Sequence, residues 1–436
     1  MTQSKMITGK LSRTLKTTAM ATNTGLRHLG YLGKKNFSKD PVALQKKHEE
    51  DIGKILFKGL SQMRGTALKA SQLLSMEADI LPEGIRKELV KSCYQVPPIN
   101  KALVRKAFMQ EFSQSPGELF SYFNSSAFAA ASLGQVHAAT HSNGQALAVK
   151  VQYPSIRESI DSDLKILNFV VSTAAKASNL LPSRDVLDTA LAEISSNLKE
   201  ETDYIQEAEN TEWFRENMKV KHVVIPRTFP EYSSTKILST EFLSGLHVDD
   251  WLATEPSQVE RDRAGQIIFN AFIYSAFELH AMHADPHIGN YLFLENGDIG
   301  LIDFGCVKHI SPEFTESISK LISALVKNDH GEVFESYKEL KIFSPELSYE
   351  EYQTNIQPTL APLQQWMVTP YKNKQFDFSQ LPPPPRMEPH EHKKAITYFH
   401  GLTSDQMYFD RSYFGIYQLL KKIGACVSTE NPWISV

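Results

Sequence analysis

The sequence predicts an α+β protein of two lobes with a helical N-terminal extension, on three observations. Residues after Phe120 alternate as strands, and an Asn-Gly turn joins two of them. A long amphipathic helix then separates these from a second pair of strands, and beyond Gly245 the pattern is mostly helical. Strands, one helix, strands and then helices is the order of segregated α+β layers. The 436 residues, 42% hydrophobic and 22% charged, suffice for two or three packed lobes. That apolar share excludes a chain disordered throughout. Gly and Pro, at 21 and 22 residues, exclude collagen-like and low-complexity chains. Cys93, Cys306 and Cys426 lie too far apart for a zinc knuckle or disulfide framework, which indicates a reducing compartment. A net charge of -4 argues against nucleic acid as a partner.

Residues 1–39 read as a basic flexible tail, with eight Lys and Arg and no Asp or Glu. Such a stretch suits a mitochondrial transit segment, a segment lying on anionic lipid, or a solvated tail. No secretory signal fits. The most apolar stretch, Ala264 to Ala284, is interrupted by Asn270, Glu278 and His280, so it reads as a helix buried in protein, and any membrane contact is peripheral. The location expected is cytoplasmic, peripheral to a membrane, or mitochondrial if the tail is a transit segment.

Residues 40–115 form the helical extension. Ile52, Ile55, Leu56 and Leu60 keep one face, and Ala67, Leu68, Leu73 and Leu74 resume it. Residues 116–245 form the N-terminal lobe. Its strands Gln135–Thr140 and Ala146–Gln152 flank the Asn143-Gly144 turn. A long helix runs from Asp185 towards Glu216, and strands follow at Val223–Ile225 and Lys236–Leu243. Residues 246–436 form the mostly helical C-terminal lobe.

The strongest chemical signal is His283-Ala-Asp-Pro-His-Ile-Gly-Asn290 followed by Leu301-Ile-Asp-Phe-Gly305. Asp285 and Asn290 are five positions apart, the spacing of the catalytic Asp and metal-binding Asn of the kinase catalytic loop. A hairpin of Tyr291–Leu294 and Ile299–Ile302 delivers Asp303 beside Asn290, and an Asp with an Asn supplies oxygen ligands for Mg²⁺ on nucleotide phosphates. His283, Asp285 and His287 also spell a transition-metal pattern, a competing reading. Upstream, strand alternation places Ala146, Ala148 and Lys150 on one face. Small alanines leave room for a flat adenine, and the lysine reaches phosphate. On one helix Glu201 and Glu207, six positions apart, project about 120° from each other. Glu207 is then the partner of Lys150, and Glu201 serves a second cation. In place of a glycine-rich phosphate cover stands Phe128-Ala-Ala-Ala-Ser-Leu-Gly-Gln-Val136, a loop stiffer than glycine would make it.

These segments together resemble the UbiB-like atypical kinases, the AarF-domain-containing group that includes the mitochondrial coenzyme Q kinases. The matching pieces run from about Gly59 to Val307, with weaker similarity around Asp410 to Lys422. They are Lys69-Ala-Ser-Gln72, Ala129-Ala130-Ala131-Ser132 with Gly134-Gln-Val136, Lys150, Glu201-Thr-Asp203, Glu207-Ala-Glu-Asn210, His283 to Asn290 and Asp303-Phe-Gly305. The resemblance implies a bilobal protein-kinase-like fold binding ATP and Mg²⁺. It implies ATPase or unorthodox kinase activity in ubiquinone or other isoprenoid lipid metabolism, with lipid contact and protein partners of a biosynthetic assembly. It implies that Lys69 pairs with Glu201, and that Lys69, Gln72, Glu201 and Asp203 regulate access to the site. Asp285, Lys150 and Glu207 would be catalytic. Ala129, Ala130, Ala131, Ser132, Val136, Ala148 and Lys150 would hold nucleotide, and Asn290 and Asp303 metal. Ser71 stands where the family has glycine. The alternatives are a small-molecule phosphotransferase and a non-catalytic, nucleotide-gated scaffold.

Overall fold

The computed structural model describes residues 100–131, 133–154, 156–158, 160–165, 168, 184–385, 398 and 403–434, with 40, 44, 47, 50, 51 and 54. The basic tail, most of the expected helical extension, Lys69, Gln72, Cys93 and Ser132 lie outside the described residues.

In chain order the elements used below are α1 (Lys101–Phe112), β1 (Tyr122–Phe123), β2 (Ala129–Ala131), β3 (Gly134–Thr140), β4 (Ala146–Gln152), α2 (Arg184–Glu201), α3 (Tyr204–Asn217), β5 (Val223–Val224), β6 (Ile237–Glu241) and β7 (Gly245–Leu246). They continue with α4 (Gln258–Phe277), β8 (Ala281–His283), β9 (Tyr291–Leu294), β10 (Ile299–Leu301), β11 (Val307–His309), α5 (Pro312–Lys327), α6 (His330–Glu339), α7 (Gln357–Val368), β12 (Gln375–Asp377), α8 (Ser404–Ile423) and β13 (Cys426–Ser428). The chain divides into two compact units, Met1–Ala208 with Thr228–Phe242, and Glu209–Arg227 with Leu243–Val436.

The first unit is built on an antiparallel sheet in which β3 pairs with β4 and β4 with β6, while β1 and β2 both pair with β3. Thr140 faces Ala146 across the hairpin, and Gly144 takes φ +90° in its turn, a conformation glycine adopts without steric cost. Strand alternation sorts the two faces. Leu147, Val149 and Val151 are fully buried and pack with Val104 and Phe108 of α1, Phe120, Phe229 and Ile237. Ala146, Ala148 and Lys150 occupy the other face.

His137 belongs to the buried face. Its ring stacks on Phe123, its Nδ1 is 2.8 Å from the Asn124 carbonyl and its Nε2 is 2.8 Å from the Gln135 amide. These partners suit a neutral imidazole that donates at Nδ1 and accepts at Nε2.

In the second unit, α4 opens with a capping box of Ser257 and Glu260 and is buried along most of its length, against β8, β13 and α8. Through Phe277 it is the protein-buried helix expected of the stretch Ala264 to Ala284, but the last part of that stretch leaves the helix and forms β8 at Ala281–His283, where it pairs with β11. Among the described residues no helix is long and apolar enough to cross a membrane. A four-stranded sheet runs β5-β10-β9-β7, and β8 pairs with β11 in a separate ribbon. The β9–β10 hairpin has Ile299 opposite Phe293 and Leu301 opposite Tyr291. Helices α5, α7 and α8 complete the core.

Three further expectations are corrected. The helix from Asp185 to Glu216 is two helices, α2 and α3. Thr202 donates its hydroxyl to the Lys199 carbonyl, and Asp203 accepts the Gln206 N–H as the cap of α3. Both side chains compete with continuous helical bonding. The separation of Glu201 from Glu207 therefore comes from this break and not from helical phase. The alanine-rich segment is no loop: residues 129–131 form β2, since alanine pairs with β3 without side-chain conflict. The strand expected over Lys236–Leu243 is confined to Ile237–Glu241.

Burial holds the His137 pKa below its ordinary value, with the Asn124 carbonyl opposing. The unfolded imidazole, with a pKa of about 6.5, then takes up protons that the folded one refuses, so stability present above that pH declines as pH falls below it. His137→Gln should be less stable than wild type at pH 7.5 and show a shallower loss between pH 7 and 5, read by thermal unfolding.

Candidate active site

In the first unit the site is organised by one buried ion pair. Lys150 Nζ lies 2.8 and 2.9 Å from the two carboxylate oxygens of Glu207. Glu207 is 2% exposed, so its charge is compensated where water cannot reach it. The ammonium also lies 5.1 Å above the Tyr204 ring. The helix break aims the glutamate: Asp203 starts α3, the Glu207 N–H bonds the Asp203 carbonyl, and Gln152 at the end of β4 donates to the Thr202 carbonyl at 3.0 Å. Gly134 permits the approach, because a Cβ there would meet the Val151 carbonyl oxygen at 2.5 Å and the Tyr204 hydroxyl at 2.9 Å.

Lys150 faces Val136 on β3, which faces Ala129 on β2. Ala131 faces Gly134, and Ala148 faces Ala138. The expected nucleotide-holding residues Ala129, Ala130, Ala131, Val136 and Ala148 thus lie on strands of the lysine's sheet. Glu201 closes α2 and is half-buried. The Lys69 expected beside it is outside the described residues, as are Gln72 and Ser132.

In the second unit, backbone pairing assembles Asp285, Asn290 and Asp303. The β8–β11 ribbon places Val307 opposite His283, and Ala284 N–H bonds the Cys306 carbonyl. The loops after β8 and β10 are thereby held together. His283 Nε2 hydrogen-bonds the Asp303 carbonyl, and its ring packs edge-on against Phe304. Asn290 donates its side-chain amide to the Asp285 backbone carbonyl at 3.0 Å and towards Asp285 Oδ2 at 3.4 Å, and its backbone carbonyl accepts the Ile302 N–H. Asp303 Oδ1 accepts the Gly305 N–H, and Asn210 donates to the Phe304 carbonyl. Burial first, and the nearby Asp285 charge second, push the Tyr291 phenol up.

The cluster offers carboxylate and amide oxygens, the donors a hard divalent ion takes. The competing His-x-Asp-x-His reading is not supported. His283 is committed to the Asp303 backbone, His287 Nδ1 accepts the Gly289 N–H, and among the described residues no three His, Cys, Asp or Glu side chains are grouped to hold a metal.

Two contributors were not found in the sequence. Arg411 on α8 brings Nη2 to 3.9 Å from Asp285 Oδ1, with both side chains largely buried. Gly415, one turn on, lets α8 rest against Pro286: a Cβ at 415 would collide with the proline ring. An arginine flanked by the buried Phe409, Ser412 and Tyr413 was the available signal.

Gly415→Ala should therefore cost about 1–3 kcal/mol by overpacking, measured by denaturant unfolding. Gly117→Ala, where a Cβ meets nothing within 4 Å, should be nearly neutral.

The chain is 31% identical to the mitochondrial atypical kinase COQ8 of Saccharomyces cerevisiae over 280 residues, 63% of this chain and 54% of that protein. It is 29% identical to the chloroplastic Activity of BC1 Complex Kinase 8 of Arabidopsis thaliana over 325 residues, 72% of this chain and 42% of that protein. It therefore spans about half the length of these relatives. The solved structure of Mycobacterium tuberculosis Rv3197 with erythromycin matches with a TM-score of 0.59 at 23% identity, covering 90% of this chain and 96% of that one, a likeness of fold. The model of the ABC1 atypical kinase-like domain matches residues 91–337, and with more than half its length so matched the chain belongs to the ABC1 atypical kinase-like family.

Proposed function

We propose that this protein binds ATP with Mg²⁺ and acts as an ATPase or unorthodox kinase in ubiquinone or related isoprenoid lipid metabolism. The observation that carries the reading is the buried Lys150–Glu207 pair beside the small residues of β4. A partly buried lysine with both carboxylate oxygens of one buried glutamate around it is fixed in place, as a phosphate-binding ammonium needs to be. Lys150 contacts the α- and β-phosphates, and Glu207 orients it. Asn290 and Asp303 hold the metal, which when bound offsets phosphate charge. Asp285 positions the attacking hydroxyl or water and accepts its proton. The Asn290 amide keeps the Asp285 carboxylate turned towards the loop, and Arg411 sets the charge beside it.

The resemblance of the motifs to the coenzyme Q kinases supports the lipid assignment, and gives Lys69, Gln72, Glu201 and Asp203 the control of access. An acid-free basic stretch at residues 1–39, together with mitochondrial and chloroplastic relatives, supports an organellar address with peripheral lipid contact.

The test measures Mg-ATP binding and phosphate release with and without anionic liposomes. Asp303→Asn should weaken Mg-ATP binding at least roughly tenfold through loss of a charged metal ligand. Asp285→Asn should retain binding and lose on the order of 10²–10⁴ in turnover. Wild-type affinity for Mg-ATP in Asp303→Asn would contradict the reading.

A further inference from the structure

The first unit leaves two large aromatic rings exposed and in contact with each other. Phe128 is 52% and Phe242 37% exposed, and their rings meet edge-to-face at 5.6 Å between centroids. Phe242 continues the β6 ladder, donating its N–H to the Ala146 carbonyl at 3.1 Å. Leu238 faces Lys150 and Thr240 faces Ala148, so by alternation Phe242 falls on the same face as Ala146, Ala148 and Lys150. Phe128 precedes β2 on the far side of the sheet and donates its N–H to the Val136 carbonyl.

Strand order makes this contact informative. Two strands, β3 and β4, lie between β2 and β6. With neighbours about 4.8 Å apart, the outer strands are separated by on the order of 14 Å. Rings that meet at 5.6 Å must therefore reach over the intervening strip. That strip is floored by the pair Ala138–Ala148, both partly exposed. Ala146 is four residues, about 13 Å, from Lys150 along the strand. A planar ring placed between floor and clasp would leave its phosphates on the lysine's side.

Resting on the nucleotide reading above, we propose that Phe128 and Phe242 clasp the base of the bound nucleotide: the rings part, and the base exchanges their mutual contact for stacking on both. Stacking on an aromatic ring recognises a flat π-face and is indifferent to a bare polyphosphate. The two phenylalanines then set the preference for nucleotide over base-less triphosphate, while Lys150 serves both ligands.

Calorimetric titration of wild type, Phe128→Leu, Phe242→Leu and Phe242→Trp with Mg-ATP and with Mg-triphosphate tests this. Each Leu variant should bind ATP about tenfold more weakly, keep wild-type triphosphate affinity and keep its melting temperature. Phe242→Trp should hold ATP as tightly as wild type. Unchanged or tighter ATP binding in both Leu variants would overturn the clasp, as would equal losses for ATP and triphosphate. Wild type that binds neither ligand would overturn the nucleotide reading itself.

Discussion

A charge taken out of water must find an opposite charge or be neutralised, and in the first unit that requirement joins strand β4 to helix α3 through Lys150 and Glu207. The gross cost of burying both groups is several kcal/mol per ion, and their attraction and hydrogen bonds offset it only in good geometry. Breaking such a pair from one side typically costs about 3–5 kcal/mol. Much of the local sequence serves that geometry. Gly134 lets β3 pass close to Tyr204, Asp203 caps the helix that carries Glu207, and Gln152 ties the break between α2 and α3 to the strand.

In the second unit the organising force is the backbone ladder. Asp285, Asn290 and Asp303 are placed by the β8–β11 ribbon and the β9–β10 hairpin, so two separate stretches of chain arrive together without long side chains having to reach. His283 serves this architecture from within, bonding the Asp303 backbone. Helix α8 buttresses it from outside through Gly415 and Arg411. The acidic loop thus has a hydrogen-bonded scaffold and a cationic neighbour in Arg411, and it presents the oxygen donors that a hard divalent ion takes.

Much of this was legible in the sequence because its signals are local. The Asn143-Gly144 turn, the alternation through β4 and the five-residue step from Asp285 to Asn290 each depend on neighbours in the chain. So does the hairpin that sets Asp303 next to Asn290. What escaped depends on tertiary context or on competition between nearly equal local choices. Thr202 and Asp203 sit inside a pattern that reads as continuous helix, and only their side-chain bonds to the backbone reveal the break. Three alanines by themselves favour helix over strand, and pairing with β3 overrides that preference. Arg411 approaches Asp285 from 126 residues downstream (411 minus 285), and no periodicity links the two. The same holds for Phe128 and Phe242, whose contact follows from strand order.

Membership of the ABC1 atypical kinase-like family accounts for the occurrence of these motifs together in one chain, and the central physical question is whether the ion pair is what readies the lysine for phosphate. A double-mutant cycle read by Mg-ATP affinity answers that most directly, with wild type, Lys150→Met, Glu207→Gln and the double variant. If the glutamate acts through the lysine, Glu207→Gln weakens binding when Lys150 is present and changes nothing further once it is methionine. Independent, additive losses from the two substitutions would contradict the account.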